Sequence, residues 1–287
     1  MPEEAPALYD FYAHRTHSLV ERVDAARRHP TDEHIRRVRV GIKRLRSLYK
    51  LIAMIRPRAF KRRRHKQALR KLFKRAGQVR DIQVSQAALP RLSVPVEVKK
   101  AYRLFLEKRE NKARKKLQKA LVRFHKKALK PTTRLIRRLS KKTNPATIDR
   151  RLRAFIDQEA AAIYALQQAE PSPERVHEAR KQLKSLVEVG TLLMQLTPDD
   201  ALATVLTNAK QLQAQIGHWH DSIVLLHHLE AFIAQDHHLP ISTAERLIAR
   251  QQQLANHQEQ RIGQFNDSLH TLVEALSPWR VADVRTI

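Results

Sequence analysis

The chain has 287 residues, and its 56 lysines and arginines exceed its 28 aspartates and glutamates, which gives a formal net charge of +28. Because 42% of the residues are hydrophobic, the chain can bury a core and is not a disordered basic tail. The absence of cysteine excludes disulfides, thiolate metal sites and a cysteine nucleophile, and the presence of only 5 glycines argues against a Gly-rich nucleotide-binding fold.

Apolar residues recur at helical spacing between proline-containing breaks, which predicts an all-α fold. Thr31 before the second helix, Pro173 at the start of the sixth and Asp199 at the start of the seventh are typical of helix starts. Helices of this length pack into bundles. The predicted helices span residues 8–28, 32–55, 59–86, 97–129, 147–169, 172–195, 199–234 and 242–276.

The start of the chain is acidic and lacks an apolar run, so no secretory signal is predicted. No stretch of about 18 consecutive apolar residues occurs, so no membrane span is predicted either. We therefore expect a soluble cytoplasmic protein, and no cofactor is expected.

The positive charge lies almost entirely in the first half of the chain. Residues 1–143 contain 43 lysines and arginines against 11 acidic residues, whereas residues 144–287 contain 13 against 17. Solubility needs a net charge of only about 2–8 in a small domain. The excess therefore predicts a polyanionic partner, namely nucleic acid, anionic lipid or another phosphate polymer.

Two blocks of sequence recur in the same order in each half. Residues 35–45 align with residues 176–186, and residues 77–84 align with residues 217–224. This internal similarity predicts a duplicated four-helix unit, with a strongly basic bundle in residues 1–143 and a nearly neutral one in residues 144–287.

Within the second block, Gly77 aligns with Gly217 although glycine is rare, and Asp81 aligns with Asp221. Glycine inside a helix costs about 1 kcal/mol relative to alanine, so we expect both glycines to serve close helix packing. We expect each aspartate to hold a nearby arginine in place by a charge-assisted hydrogen bond.

Cationic side chains follow one face of the predicted helix 32–55, beside a separate apolar face. Like charges three and four residues apart repel by a few tenths of a kcal/mol each, so such a row reduces stability. The second half keeps cations at the repeat positions although it is slightly acidic overall, and helix 59–86 adds another row. The candidate anion-binding residues are Arg36, Arg39, Lys43, Arg46, Lys50, Lys66, Arg70, Lys74, Arg80, His177, Arg180, Lys181, Lys184, Lys210 and His220.

A further row of cations follows one face of the predicted helix 97–129. This row has no basic counterpart in helix 242–276. It is either a second anion-binding surface or a solvated exterior, and we favour the exterior. Its members are Lys108, Lys112, Lys115, Lys119, Arg123 and Lys126.

The two pairs of blocks resemble the CHAD domain, the conserved histidine α-helical domain. Its first motif is similar to His-x-x-Arg-x-x-x-Lys/Arg-x-x-Arg, and its second to Gly-x-x-Arg-Asp-x-x-Val. The second half keeps the first three positions of the first motif but has Val187 at the fourth, and the first half has Arg36 in place of the histidine. The second motif is complete from Gly77 to Val84, whereas His220 replaces its arginine in the second half. The resemblance covers about residues 8–276.

The resemblance implies two tandem four-helix bundles, related by a pseudo-two-fold axis, with basic residues lining a central cavity. It also implies binding of inorganic polyphosphate and targeting to polyphosphate granules. The CYTH triphosphatase domain that often accompanies this family is not expected, because its Glu-x-Glu-x-Lys motif is absent. Where His177 and His220 face phosphate, their pKa values should rise, and binding should strengthen below about pH 7.

Nucleic acid is the main alternative partner. Aromatic residues make up only 5% of the chain and are not interleaved with the cationic rows, so base-stacking platforms for single strands are scarce. Sequence-independent binding to a duplex therefore remains the alternative. Membrane binding is not expected, because the cationic rows lack a strongly apolar opposite face open to lipid.

A metal-dependent phosphohydrolase is the less favoured alternative. Such enzymes gather several carboxylates around their metal ion, and carboxylates are few and dispersed in residues 1–143. Three histidine pairs are poorly spaced for one ion, since residues one or two apart do not share a helix face. These pairs are His218 with His220, His227 with His228, and His237 with His238. We therefore expect a binding protein without catalytic residues or a metal.

Overall fold

The structure, a computed structural model, describes residues 7–170, 172–235 and 241–276. These residues form nine α-helices and two short 3₁₀ helices, with no strand among them, so the all-α prediction is confirmed. The α-helices are α1 (Ala7–Arg28), α2 (Asp32–Ile55), α3 (Arg62–Ala88), α4 (Val96–Arg123), α5 (Lys130–Lys141), α6 (Pro145–Gln168), α7 (Pro173–Leu196), α8 (Asp200–Ile233) and α9 (Ile241–Ala275).

Side-chain caps begin helices where the sequence predicted them. The Thr31 hydroxyl accepts the backbone N–H of His34 at 3.2 Å, at the start of α2. The Asp199 carboxylate accepts the backbone N–H of Leu202 at 2.8 Å, at the start of α8. Each bond satisfies one of the N–H groups that a helix start leaves unpaired, which stabilises the helix by about 1 kcal/mol.

The prediction of one helix over residues 97–129 is wrong at its C-terminal end. Helix α4 ends at Arg123, where Phe124 is extended, and a 3₁₀ turn spans Lys126–Leu129. Helix α5 then follows, in a segment where no helix was predicted. In the sequence, Pro131 predicts the end of a helix. In the structure it lies in the first turn of α5, where the missing N–H of proline removes no helical hydrogen bond.

The order of helix contacts is the same in each half. In the first half α1 packs against α2, α2 against α3, and α3 against α4; in the second half α6 packs against α7, α7 against α8, and α8 against α9. The halves meet where α2 packs against α7 and α3 against α8. The four helices that carry the repeated sequence blocks are therefore in direct contact.

A continuous apolar core runs through both halves and is reinforced by polar contacts between them. The Arg15 guanidinium on α1 donates to the Glu188 carboxylate on α7 at 2.6 Å. On α2, the Lys50 ammonium pairs with the buried Glu159 carboxylate of α6 and donates to the Gln182 amide oxygen of α7 at 2.7 Å. These contacts fix α2 against the second half of the chain.

Candidate functional site

Four cations converge where α2 packs against α7. Arg39 and Lys43 lie one turn apart on α2, and Arg180 and Lys184 lie one turn apart on α7. Arg39 and Arg180 repel Lys43, while Lys43, Arg180 and Arg39 all repel Lys184. Such repulsion shifts pKa values only at short range, so the four side chains form one group, called here the cationic cluster.

Burial and mutual repulsion both oppose charge in the cationic cluster. Desolvation, followed by repulsion from Arg39, lowers the pKa of Lys43 to about 7. Desolvation, followed by repulsion from Lys43, lowers the pKa of Lys184 to about 6. Burial also lowers the pKa values of Arg39 and Arg180. An anion placed against the cluster would act in the opposite direction, because an opposite charge favours the protonated form.

Two carboxylates, on α3 and α8, balance only part of this charge. Asp81 and Asp221 both attract Arg39 and Lys43, and Asp221 also attracts Arg180. Burial raises the pKa of Asp81 despite this attraction. Among the described residues, neither aspartate accepts the expected charge-assisted hydrogen bond from an arginine. Asp81 and Asp221 therefore act on the cluster at longer range. Two carboxylates facing four cations leave an excess of positive charge.

Gly77 makes room for one member of the cluster. A Cβ atom at Gly77 would clash with the Nη1 atom of Arg39, whereas one at Gly217 would lie 3.5 Å from Nη2 of Arg180, an ordinary contact. The Arg39 guanidinium also lies 5.2 Å from the centroid of the Phe73 ring, which is a cation–π contact. Gly77 therefore accommodates an arginine side chain, where close packing of helices was expected.

Positive charge continues beyond the cluster toward the start of α3. Arg46 repels Lys184 of the cluster and also repels Lys66. Burial, followed by repulsion from Arg62, Arg46 and Lys50, lowers the pKa of Lys66 to about 8. Arg46, Arg62 and Lys66 are called here the cationic extension. Arg62 was missed at the sequence level, because it is one of four consecutive basic residues and no periodicity distinguishes it.

Two histidines lie beside the cluster, His177 on α7 and His220 on α8, with their ring centroids 6.1 Å apart. Burial, followed by repulsion from Arg180, lowers the pKa of His220 to about 4, and burial also lowers that of His177. The shift is opposite to the one expected next to phosphate, because burial, followed by repulsion from the neighbouring cations, disfavours the charged rings. Arg80, at the position equivalent to His220, is half-buried and repels Arg39.

Other candidate residues pair with carboxylates of the protein. Arg36 is 56% exposed and contacts Glu33 at 3.2 Å, and Lys181 pairs with Glu178 on the same turn of α7. Lys50 pairs with Glu159, as described above. The structure therefore does not bring these three to the cluster. The remaining candidates are exposed side chains, namely Arg70, Lys74 and Lys210.

In the described parts of the chain, no group of three or more histidines and carboxylates could hold a metal ion. His228 instead shares a hydrogen bond with the Ser85 hydroxyl, 2.7 Å from its Nδ1 atom. His237 and His238 lie outside the described residues. That the protein is not an enzyme stays a prediction.

The site and the helical fold together define an all-α protein with a cationic centre between its halves. The family model for the CHAD domain matches residues 12–230, which is more than half of the chain, so this chain belongs to the CHAD domain family. The resemblance noted in the sequence is thereby confirmed, and no CYTH domain is detected.

Comparison with solved structures supports the same fold. The crystal structure of the CHAD domain from the plant Ricinus communis matches with a TM-score of 0.74 and 17% sequence identity, over 93% of this chain and 91% of that chain. No match was found among curated proteins. Within the described residues, no helix has the length and apolar character needed to cross a membrane.

Proposed function

We propose that this protein binds inorganic polyphosphate at the cationic cluster, with further phosphates along the cationic extension. The CHAD domain family is linked to polyphosphate binding in general. The observation that carries the proposal is the convergence of Arg39, Lys43, Arg180 and Lys184 from both halves. In the part of the chain that the structure describes, two carboxylates face these four cations. We interpret the halves as duplicated four-helix bundles around this centre, in line with their equal order of helix contacts.

The cluster is unfavourable for folding, and this supports a role in binding. Its lysines are held at pKa values far below the usual value for lysine. The Nε–H of Arg180 is buried and meets no acceptor among the described residues. An unsatisfied buried donor costs about 1–3 kcal/mol. Perturbed pKa values and such costs concentrate at functional sites, where a ligand compensates for them.

The chemistry of the cluster suits a flexible string of phosphates. Polyphosphate carries about one negative charge per phosphate and releases counterions when it binds cations, as DNA does. Arginine offers paired N–H donors to phosphate oxygens, and lysine offers a compact charge. Phe73 is covered by the guanidinium groups of Arg39 and Arg46 at 5.2 and 4.8 Å from its centroid. A base therefore cannot stack directly on the Phe73 ring, whereas phosphates can contact the two guanidinium groups that cover it.

Charge reversal at one cluster residue on each helix tests the proposal. Arg39→Glu and Lys184→Glu should each weaken binding of polyphosphate of defined chain length about 10- to 100-fold, since a charged hydrogen bond contributes about 1.5–3 kcal/mol. Lys119→Glu, an exposed residue of α4, makes the same charge change away from the cluster and should alter affinity less than about threefold. Circular dichroism confirms that the helices remain. Equal losses in all three variants would mean that only net charge matters, and the proposed site would be wrong.

Two further assays separate polyphosphate binding from the alternatives. In direct competition at equal phosphate concentration and physiological salt, polyphosphate should displace duplex DNA; stronger retention of DNA would favour the nucleic-acid function. Incubation of polyphosphate with Mg²⁺ or Mn²⁺ should release no phosphate. Turnover that is lost in Lys43→Gln would instead identify a phosphohydrolase.

We also infer that the same interaction brings the protein to polyphosphate granules. A fluorescent fusion should co-localise with granules, and the Arg39→Glu fusion should be diffuse. If both fusions associate with granules, localisation does not depend on the cationic cluster.

A further inference from the structure

A cavity of about 750 Å³ lies between α3, α4 and α8. Its apolar floor is formed by Leu104 and Phe105 of α4, Ile82 of α3 and Phe232 of α8. The Phe105 and Phe232 rings pack against each other with centroids 5.4 Å apart. Leu104 is 65% exposed and Phe105 is half-buried, so these two residues of the floor are open to solvent, whereas Ile82 and Phe232 belong to the folded core. The volume is in the range of about 300–1,000 Å³ that is typical of small-molecule sites.

A row of cations from α4 borders this floor, namely Lys108, Arg109, Lys112 and Lys116. Lys108, Lys112 and Lys116 are exposed and follow each other at intervals of four residues on one helix face. The Arg109 guanidinium lies 5.0 Å from the centroid of Phe105. Among the described residues, Asp81 is the one carboxylate that lines the cavity. For these lysines the contact with an apolar cavity favours a binding surface over a solvated exterior.

Neutral hydrogen-bonding groups interrupt the apolar floor. Gln78, Gln235 and His228 line the cavity beside the aromatic rings. The Ser85 hydroxyl holds the His228 ring through Nδ1 at 2.7 Å. Burial, followed by repulsion from Arg109, lowers the pKa of His228 to about 4, so its imidazole is neutral at neutral pH and can both donate and accept.

We propose that this cavity binds a nucleoside phosphate, with the base on Leu104 and on the Arg109 guanidinium that covers Phe105, and with the phosphates on Lys108, Lys112 and Lys116. The proposed site adjoins the cationic cluster at Asp81, but none of the four cluster cations lines the cavity. An inorganic anion would use the cations but would gain nothing from the apolar floor. An acyl chain would use the floor but would make no hydrogen bond with the amide and imidazole groups beside it.

The charge of the cavity matches a triphosphate. A nucleoside triphosphate carries three to four negative charges, and the cavity presents four cations against one carboxylate. Arginine stacked on an aromatic ring and flexible lysines beside it supply a planar surface for the base and point charges for the phosphates. The arrangement is therefore complementary to both ends of the same molecule.

Titration calorimetry with ATP, adenosine and inorganic tripolyphosphate tests the proposal. In the Lys184→Glu protein, whose cationic cluster binds polyphosphate weakly, ATP should bind at least about tenfold more tightly than either fragment, because the base and the phosphates contribute together. Leu104→Asp, which places a carboxylate on the exposed floor, and Lys112→Glu should each lower ATP affinity about tenfold or more. Lys115→Glu, an exposed residue on α4 that does not line the cavity, is the matched control and should change ATP affinity less than about threefold.

Lys184→Glu separates this site from the cationic cluster. It should weaken polyphosphate binding and leave ATP affinity unchanged, whereas Lys112→Glu should do the reverse. ATP binding that is lost in Lys184→Glu and kept in Lys112→Glu would place the nucleotide at the cluster and overturn the proposal. Equal affinity for ATP and tripolyphosphate, with no effect of Leu104→Asp, would mean that the cavity does not recognise the nucleoside. Binding to phosphatidylglycerol vesicles without any affinity for ATP would also contradict a nucleoside phosphate as the ligand.

Discussion

Binding of polyphosphate should take up protons, because two lysines of the cationic cluster are held at low pKa values. Lys184 has a pKa of about 6 and Lys43 a pKa of about 7, in both cases first because burial desolvates the ammonium group. Near pH 7.5 both are therefore mostly neutral before binding. Phosphates in contact with them favour the charged form, so each lysine should gain a proton when polyphosphate binds.

The number of protons follows from these two pKa values. Near pH 7.5, a group with a pKa of about 6 gains nearly one proton when it becomes fully charged, and a group with a pKa of about 7 gains about three-quarters of one, so the uptake is about 1.7 protons. Near pH 5.5 both lysines are already mostly charged, and their uptake falls to about 0.3 protons. Polyphosphate affinity should consequently rise as the pH falls between these values.

Titration calorimetry in buffers of different ionisation enthalpy measures the uptake directly. Lys184→Met should take up about one proton fewer than the unmodified protein near pH 7.5. Because Lys184 also repels His220, the difference between the two proteins reports the Lys184 proton together with any change at His220. Lys181→Met, on the same helix but half-exposed and paired with Glu178, is the control and should leave the uptake unchanged. Tight polyphosphate binding with no proton uptake near pH 7.5 would show that Lys43 and Lys184 are not neutral before binding, and the prediction would be wrong.

Three further outcomes follow from the same contacts. Gly77→Ala should weaken polyphosphate binding about three- to tenfold in an equilibrium assay, because the added Cβ displaces the Arg39 guanidinium. Gly217→Ala should leave the affinity unchanged, and equal effects of the two substitutions would contradict this account. Lys184→Met should raise the free energy of unfolding near pH 6 by several kcal/mol, as measured in urea, because the folded pKa of Lys184 lies several units below the unfolded one. The gain should fall toward zero by about pH 10, because a lysine with a lowered folded pKa destabilises the fold only below its unfolded pKa; a pH-independent gain would refute this account. Lys50→Met should lower the free energy of unfolding by about 3 kcal/mol, since it leaves the buried Glu159 carboxylate unpaired, and adding Glu159→Gln should restore most of this loss in the same denaturation assay.

Much of the fold could be predicted from local pattern. The spacing of apolar residues and the caps at Thr31 and Asp199 located most helices to within a few residues. The failure lay at the end of α4 and at α5, because Pro131 is equally compatible with a break and with the first turn of a helix. Only the packing of neighbouring segments decides between these two, and packing is not visible in a local window.

The candidate site was predicted in part, for a similar reason. The repeated blocks identified Arg39, Lys43, Arg180 and Lys184 as equivalent cations, and the structure brings these four together. The same periodic row also contains Lys50, which pairs with Glu159, a residue 109 positions away in the chain. Periodicity assigns a residue to a helix face, but it does not show which group from another helix lies opposite that face.

The amino-acid sequence by itself determined the helical class of this protein, its excess of positive charge and the two equivalent pairs of cations, because these depend on composition and on spacing along one chain. The tertiary structure decided which cations are buried together, what their pKa values are, and that α4 borders a cavity with an aromatic floor. The physical reason is that desolvation and Coulomb repulsion depend on the distances between helices, and these distances are set by the packing of the whole core.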